Sequence, residues 1–238
     1  MGDPTGEISG STRLVALLGQ PVAESLSPRM QNAAFAARGL DWAYVACEVA
    51  PDGLEAAIEG LAALGFAGAN VTAPHKEAAA ELCDEAEGPA VNTLVFREGR
   101  LLGFNTDKAI VAGIKAERVC LIGAGGAAKA LVQGLPGEVR AFSRGGTWPP
   151  EATDADLVVN ATPVRDELLV EPRAGQSIVD LAYRADGRPT ALVEAARAAG
   201  CEVVDGFEAL VRQGAASFEL WTSLPAPVDV MRAAVRSA

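Results

Sequence analysis

The sequence predicts an α/β protein built from two lobes. Short runs rich in β-branched residues alternate with Ala/Leu/Glu-rich stretches of helical length, which is typical of βαβ units and a largely parallel sheet. With 238 residues, half of them apolar, the chain is long enough for two compact lobes. A boundary is expected near Asp107, where one sheet has finished and a second strand–glycine–helix unit begins, giving lobes of residues 1–107 and 108–206. The pattern does not decide which lobe accepts residues 207–238, and we assign them to the first as a working prediction.

The individual elements follow from the same alternation of residue types. Segments of strand length and composition are Arg13–Gly19, Ala43–Val49, Gly68–Thr72, Asn92–Phe96, Val119–Gly123, Val139–Arg144, Leu157–Ala161, Ile178–Tyr183 and Glu202–Asp205. Helices are expected to begin near Pro28, Asp52, Lys76, Thr106, Gly126, Pro189 and Glu208, followed by an amphipathic helix around Val228–Val235. Proline suits the first helical turn because the N–H it lacks would have no intrahelical partner there.

Composition and charge exclude several classes of function. A net charge of −11 argues against a nucleic-acid surface, which needs clustered Lys and Arg. Apolar runs are too short to span a membrane, and Met1–Ser11 lacks the pattern of a signal peptide, so a cytoplasmic location is expected. The four cysteines are scattered and only His75 could join them, which predicts neither a disulfide framework nor a metal site.

A glycine-rich turn follows the apolar segment that begins at Val119. Gly123, Ala124, Gly125, Gly126 and Ala127 lead from this strand into an Ala-rich helix. Glycines in this context let the backbone turn sharply and approach a pyrophosphate, which predicts a dinucleotide site. Tight packing of a helix on a strand, or an adenosyl ligand, are the alternatives.

The end of the next strand bears on which dinucleotide is bound. NAD sites place an acid there for the ribose 2′-hydroxyl, whereas this chain has Ser143 and Arg144. Arginine binds phosphate in a bidentate manner and serine adds a hydroxyl, so the pattern favours NADP. The alternative is a solvated arginine at a strand end.

Polar residues cluster after the predicted strands of the first lobe, where α/β sheets place ligands. Ser25 and Ser27 follow the first strand; Ser27 precedes Pro28 and also suits a helix N-cap. Asn70 and Thr72 share one side of an extended segment, and Lys76 opens a helix, where a cation is electrostatically misplaced. That misplacement favours a functional role for Lys76.

Further polar residues follow in the same lobe. Asn92 lies in the segment Ala90–Thr93, and Asp107 ends the segment Gly103–Asp107. Asp107 is either an ordinary acid of a first helical turn or a partner that orients the Lys76 ammonium.

Together these segments resemble the shikimate dehydrogenase family over nearly the whole chain. The matching motifs are ordered along the sequence: Gly19–Pro28, Asn70–Lys76, Ala90–Thr93, Gly103–Asp107, Asn160–Pro163, Asp180–Tyr183 and Gly206 with Gln213–Phe218. A set of ordered motifs is far more specific than a glycine turn alone.

The resemblance implies reversible reduction of 3-dehydroshikimate to shikimate with NADP as cofactor, in a monomer or homodimer. It implies that Ser25 and Ser27 hold the substrate carboxylate, with Tyr183 nearby, and that Lys76 and Asp107 are the catalytic pair. The residues implied to read the ring hydroxyls are Asn70, Thr72, Asn92, Asp107 and Gln213. Thr162 and Gly206 are implied to join the glycine turn, Ser143 and Arg144 at the cofactor. His75 is given no catalytic role, because the motif leaves that position free.

The chain departs from the family pattern in the second lobe. Too few residues separate Arg144 from the strand at Leu157 to hold the third strand and helix of a Rossmann half. We therefore expect an N-terminal substrate-binding α/β domain and a Rossmann-type NADP-binding domain with a shortened sheet, whose second strand is the new edge. Val164 follows Pro163 where the family has Gly-Met, and Ala209-Leu210 replaces Met-Leu. These changes predict weaker cofactor binding than in a full-length relative.

Other functions remain open at this stage. The same fold could act on quinate or an aminoshikimate, which the sequence does not separate from shikimate. A weakly catalytic protein that binds NADP or a metabolite is a second alternative, although retention of both Lys76 and Asp107 argues against it. A generic Rossmann methyltransferase would not explain the motifs of the first lobe.

Overall fold

A computed structural model of the chain describes residues 8–184 and 186–237. The first seven residues of the segment considered as a signal peptide lie outside the described residues. The described residues divide into two compact units, one of residues 8–106 with 213–237 and one of residues 107–184 with 186–212.

The two units contain these elements in chain order. The strands are β1 (Arg13–Gly19), β2 (Trp42–Glu48), β3 (Gly68–Val71), β4 (Glu85–Ala86), β5 (Thr93–Arg97), β6 (Arg100–Phe104), β7 (Arg118–Ile122), β8 (Glu138–Phe142), β9 (Leu157–Asn160), β10 (Ser177–Asp180) and β11 (Glu202–Val204). The α-helices are α1 (Ser27–Ala37), α2 (Leu54–Ala63), α3 (Lys76–Leu82), α4 (Gly126–Val132), α5 (Ala191–Ala198), α6 (Gly206–Thr222) and α7 (Val228–Arg236). Short 3₁₀ helices cover Pro51–Gly53 and Thr106–Ile110.

The first unit is built on a mixed sheet with strand order β2-β1-β3-β5-β6-β4. β1 pairs in parallel with β2 and β3, whereas β5 pairs antiparallel with both β3 and β6. The β5–β6 hairpin was not predicted, because its turn is Glu98-Gly99 rather than a common turn pair. Both residues have positive φ, 53° and 74°, which is the conformation that joins two strands tightly.

The second unit is built on a sheet with order β11-β10-β9-β7-β8, in which all pairs are parallel. β8 is the edge strand, and the described residues between β8 and β9 form neither helix nor strand. The prediction of a shortened Rossmann-type sheet that ends at its second strand is therefore confirmed. Loss of the third strand is tolerated because that strand would itself have been an edge.

The core of the second sheet lies on both of its faces. Val119 and Leu121 of β7 belong to one buried cluster, and Cys120 and Ile122 to another. Successive side chains of a strand point to opposite faces, so a strand covered on both sides is apolar throughout. Each such buried aliphatic side chain contributes about 1.5–3 kcal/mol to folding.

Three α-helix starts differ from the prediction by two residues, and the helix predicted near Thr106 is a short 3₁₀ helix. α2 begins at Leu54 rather than at Asp52, after the 3₁₀ helix Pro51–Gly53. α5 begins at Ala191 rather than at Pro189, because Thr190 is its N-cap and accepts the Val193 N–H at 3.2 Å. α6 begins at Gly206, and from residue 213 it belongs to the first unit together with α7. Among the helices of residues 8–184 and 186–237, none is both long and apolar enough to cross a bilayer. All four cysteines are free, and only Cys120 is fully buried.

Candidate functional site

In the first unit, the loops after β1 and β3 run side by side. The Thr72 N–H donates to the Leu18 carbonyl at 2.9 Å, and the Gln20 N–H donates to the Ala73 carbonyl at 3.0 Å. A Cβ on Gly19 would lie 2.3 Å from Cγ2 of Thr72. The family glycine at this position is therefore required for the two loops to approach each other.

Lys76 is the first residue of α3. Its carbonyl accepts the Val91 N–H at 3.0 Å, and its side chain is half-buried. His75 is buried and its Nε2 lies 2.7 Å from the Val49 carbonyl, which requires the proton on Nε2. His75 thus ties the turn before Lys76 to the residue that follows β2.

The two serines after β1 differ from the sequence prediction in how they relate to the start of α1. Ser27 is the first residue of α1, whose N-cap is Leu26 without a side-chain cap, so the N-cap interpretation of Ser27 is wrong. Ser25 instead accepts the Ser27 N–H at 3.3 Å. Ser27 is buried. Burial raises the pKa of the Tyr44 hydroxyl far above its usual value, and the nearby side chain of Ser27 offsets part of that rise.

Asn70 lies at the centre of a buried polar network. Its Oδ1 accepts the Tyr44 hydroxyl at 2.8 Å. Its Nδ2 lies 3.0 Å from each of three acceptors: the Asn92 carbonyl, Thr93 Oγ1 and Ser217 Oγ. A buried amide whose hydrogen bonds are all made holds a single position, so Asn70 links β3, β5 and α6 rigidly.

Asn92 continues this network toward the end of the first unit. Its Oδ1 accepts the backbone N–H and the hydroxyl of Thr106, at 2.7 and 3.0 Å. Its Nδ2 donates to Gln213 Oε1 at 3.4 Å. The structure therefore brings Asn70, Asn92 and Gln213 together, and it fixes the backbone immediately before Asp107. Asp107 itself is buried and belongs to the 3₁₀ helix.

In the second unit, the glycine turn leads from β7 to α4 as predicted. Gly123 has φ of +124°, and a Cβ there would lie 2.9 Å from the Ala161 carbonyl oxygen. A Cβ on Gly125 would meet nothing within 4 Å, so the space beside this residue is open. The turn is thus closed against the protein at Gly123 and open at Gly125, which fits a backbone that receives a pyrophosphate. Ala124, Gly126 and Ala127 complete the turn and open α4.

Ser143 and Arg144 follow the last residue of β8. The Ser143 carbonyl accepts the Gly146 N–H at 2.9 Å in a tight turn. The Arg144 guanidinium lies 5.5 Å from the ring centre of Trp148 and pairs with Glu167, with Nη2 2.9 Å from Oε2. The acid Glu167 was not predicted at this end of the sheet.

The ends of β9 and β10 are joined by buried polar side chains. Asn160 Oδ1 accepts the Thr162 hydroxyl at 2.7 Å, and Asn160 Nδ2 donates to Asp180 at 2.9 Å. Asp180 is fully buried and also accepts the Thr190 hydroxyl at 2.5 Å. This pairing fixes the position of Thr162.

Tyr183 and Gly206 lie close to each other in the second unit. The ring of Tyr183 is 5.5 Å from that of Phe207. A Cβ on Gly206 would lie 2.4 Å from the Ala182 carbonyl and 2.9 Å from Cβ of Tyr183. The glycine is therefore needed for α6 to start beside this loop.

Asp180 gives the second unit a pH-dependent stability. Burial raises the pKa of this carboxyl, and the hydrogen bonds from Thr190, Ala182 and Asn160 offset only part of the rise. A raised pKa means that the native state binds the proton more tightly, so stability falls as pH rises from the ordinary Asp value through the raised one. In Asp180→Asn the group is neutral at every pH, so we expect the free energy of unfolding of the variant to increase relative to that of the parent as pH rises through this range. Urea unfolding at a series of pH values measures it, and a difference that does not change with pH would contradict the prediction.

Sequence reasoning missed several residues that support the predicted ones. Thr93, Thr106 and Ser217 lie within the quoted motifs, and their hydroxyls are mutually 2.8–3.1 Å apart. Their place in the motifs was the available signal. Tyr44 and Glu167 gave none, because each acts across a distance in sequence. Among the residues that the structure describes, no group of three or more His, Cys, Asp or Glu is placed to hold a metal ion.

Comparison with known proteins identifies relatives along the whole chain. Residues 17–94 match the shikimate dehydrogenase substrate binding domain, and residues 206–236 match the shikimate 5′-dehydrogenase C-terminal domain. The shikimate dehydrogenase (NADP(+)) of Methanopyrus kandleri is 38% identical, with 96% of each chain covered. That alignment spans 281 positions, more than the 238 residues of this chain, so it places gaps in this chain.

The chain is also similar to solved structures of dehydrogenases over nearly its whole length. Shikimate 5-dehydrogenase from Thermus thermophilus, in complex with NADP(H) and shikimate, is 34% identical with a TM-score of 0.81, covering 95% of this chain and 99% of that one. Quinate dehydrogenase from Corynebacterium glutamicum, in complex with NAD, is 26% identical with a TM-score of 0.80, covering 95% and 99%.

Proposed function

The chain belongs to the shikimate dehydrogenase family, and on this basis we propose that it reduces 3-dehydroshikimate reversibly to shikimate with NADPH. The relatives at 38% identity are NADP-dependent shikimate dehydrogenases. The single observation that carries the proposal is the connected polar network of the first unit. Asn70, Asn92 and Gln213 are predicted substrate residues, and hydrogen bonds hold them in one arrangement.

Lys76 is the proposed proton donor. When bound, NADPH supplies the hydride to the ketone carbon. The oxygen then gains negative charge, which the Lys76 ammonium stabilises and neutralises by giving up a proton. In the reverse direction neutral Lys76 takes the hydroxyl proton. Asp107 is proposed to accept a ring hydroxyl and to orient Lys76.

The remaining residues of the first unit position the substrate in this proposal. Ser25 and Ser27 bind the carboxylate, which an acidic protein must hold by local hydrogen bonds because its overall charge repels anions. Thr72, Asn92 and Gln213 bind ring hydroxyls. Asn70 donates within the network and offers the substrate only a lone pair of Oδ1 beside the Tyr44 bond.

The second unit has residues that fit NADP. The open turn at Gly125 would receive the pyrophosphate, and Arg144 with Ser143 would bind the 2′-phosphate. Thr162 and Gly206 would line the remainder of the cofactor site. Weaker cofactor affinity than in a full-length relative stays a prediction, as do a cytoplasmic location and a monomeric or homodimeric state.

Turnover with ring acids tests the proposed function. NADPH oxidation with 3-dehydroshikimate is compared with NADP reduction by shikimate, quinate and an aminoshikimate. The proposal expects the highest kcat/KM with 3-dehydroshikimate and shikimate. A higher value with quinate would assign the chain to the activity named for the Corynebacterium glutamicum structure. Binding of NADPH without turnover of any of these ring acids would contradict the proposed enzyme activity and would indicate a protein that only binds the cofactor.

A further inference from the structure

The predicted 2′-phosphate anchor is already paired with a carboxylate. Arg144 Nη2 lies 2.9 Å from Glu167 Oε2, and the two side chains are 65% and 59% exposed. The same guanidinium lies over the ring of Trp148, 5.5 Å from its centre. Arg144 is therefore held in place by one acid and one aromatic ring.

Glu167 is brought to this position by the burial of its neighbours. It lies in the stretch between β9 and β10, which forms no helix or strand. Val170 of this stretch is buried in the cluster that contains Phe142, the last residue of β8, and Leu169 packs against that cluster. The chain around Glu167 is thus anchored beside the end of β8, where Arg144 follows.

A carboxylate at this place affects the two dinucleotides differently. A 2′-phosphate that binds Arg144 must displace Glu167 or lie beside it, and two anions at that separation repel each other. An unphosphorylated ribose brings no such charge, and its 2′-hydroxyl can donate to a carboxylate, as it does to the acid in NAD sites. The pair therefore opposes NADP and leaves NAD unopposed.

We propose that Glu167 is a specificity-determining residue that lowers the preference of this chain for NADP over NAD by competing for Arg144. The inference rests on the proposed function, because it takes the cofactor site of the second unit as given. Arg144 remains the phosphate ligand, and Glu167 sets how strongly its charge favours the phosphorylated nucleotide.

Direct binding of NADPH and of NADH, measured by calorimetry, tests the proposal without turnover. In Glu167→Gln we expect the Kd of NADPH to fall about threefold to tenfold, the scale of one removed charge at an exposed site, with the Kd of NADH unchanged or higher. The increase in NADPH affinity should be smaller at high salt, because salt screens exposed charges. Glu171→Gln is the matched control, since it removes an exposed acid four residues away and should leave both constants unchanged.

Each outcome decides the question. Loss of the NADPH gain when Arg144→Gln is added to Glu167→Gln would support competition for Arg144. Equal changes for NADPH and NADH, or no change for either, would overturn the inference while leaving the proposed function standing. Failure of the parent chain to bind both nucleotides would refute the proposed function and this inference with it.

Discussion

Replacement of Lys76 by alanine is expected to lower kcat by about 10²–10⁴-fold, the range that a positioned proton donor contributes. In the proposed mechanism the ammonium meets a full negative charge only as the hydride arrives, so its loss raises the barrier more than it weakens substrate binding. The expected result is therefore a large fall in kcat with a small change in KM for 3-dehydroshikimate. Steady-state oxidation of NADPH measures both constants.

Two comparisons make the Lys76 experiment specific. Lys115→Ala removes an exposed lysine of the second unit and should retain the kcat of the parent. Calorimetric binding of NADPH to Lys76→Ala should match that of the parent, because Lys76 belongs to the first unit and the predicted cofactor residues of the second unit are untouched. A variant with the kcat of the parent would remove Lys76 from the mechanism.

The fold was accessible from the sequence wherever local patterns carry the signal. Apolar runs such as Val119–Ile122 predict strands because both faces of their sheet are covered. The shortened sheet could be predicted from the length of the segment between β8 and β9, because that segment has too few residues for another strand and helix. The β5–β6 hairpin escaped because Glu98 takes a positive φ that glutamate seldom adopts, which gave the turn no sequence signal.

The residues of the candidate site also fall into those that local motifs predict and those that they do not. Local motifs predicted Asn70, Asn92 and Gln213, and the structure joins them. The bond from the Ser27 N–H to the Ser25 hydroxyl was not accessible, since a serine before proline also suits an N-cap and the sequence does not fix the residue at which α1 begins. Glu167 was also inaccessible, because nothing local to it indicates that an irregular stretch after β9 ends beside β8. Pairings across the sheet are set by packing, which one sequence does not reveal.

The buried network of the first unit leads to the second large expected effect. Asn70→Ala removes the acceptor of the Tyr44 hydroxyl and the donor shared by Asn92, Thr93 and Ser217. The three hydroxyls of Thr93, Thr106 and Ser217 can still bond one another. Even so, a buried cavity lined by polar groups remains, and we expect the free energy of unfolding to fall by about 3 kcal/mol.

Tryptophan fluorescence during urea unfolding can measure this loss of stability in the first unit alone. Trp42 and Trp221 lie in the first unit and Trp148 in the second, so a Trp148→Phe background leaves only reporters of the first unit. In that background Asn70→Ala should lower the urea midpoint clearly, whereas Glu81→Ala, an exposed change in the same unit, should not. A midpoint for Asn70→Ala equal to that of the control would mean that the remaining hydroxyls satisfy the network without the amide. Asn70 would then be free to act as a substrate ligand alone, and its rigid placement would no longer account for the arrangement of the site.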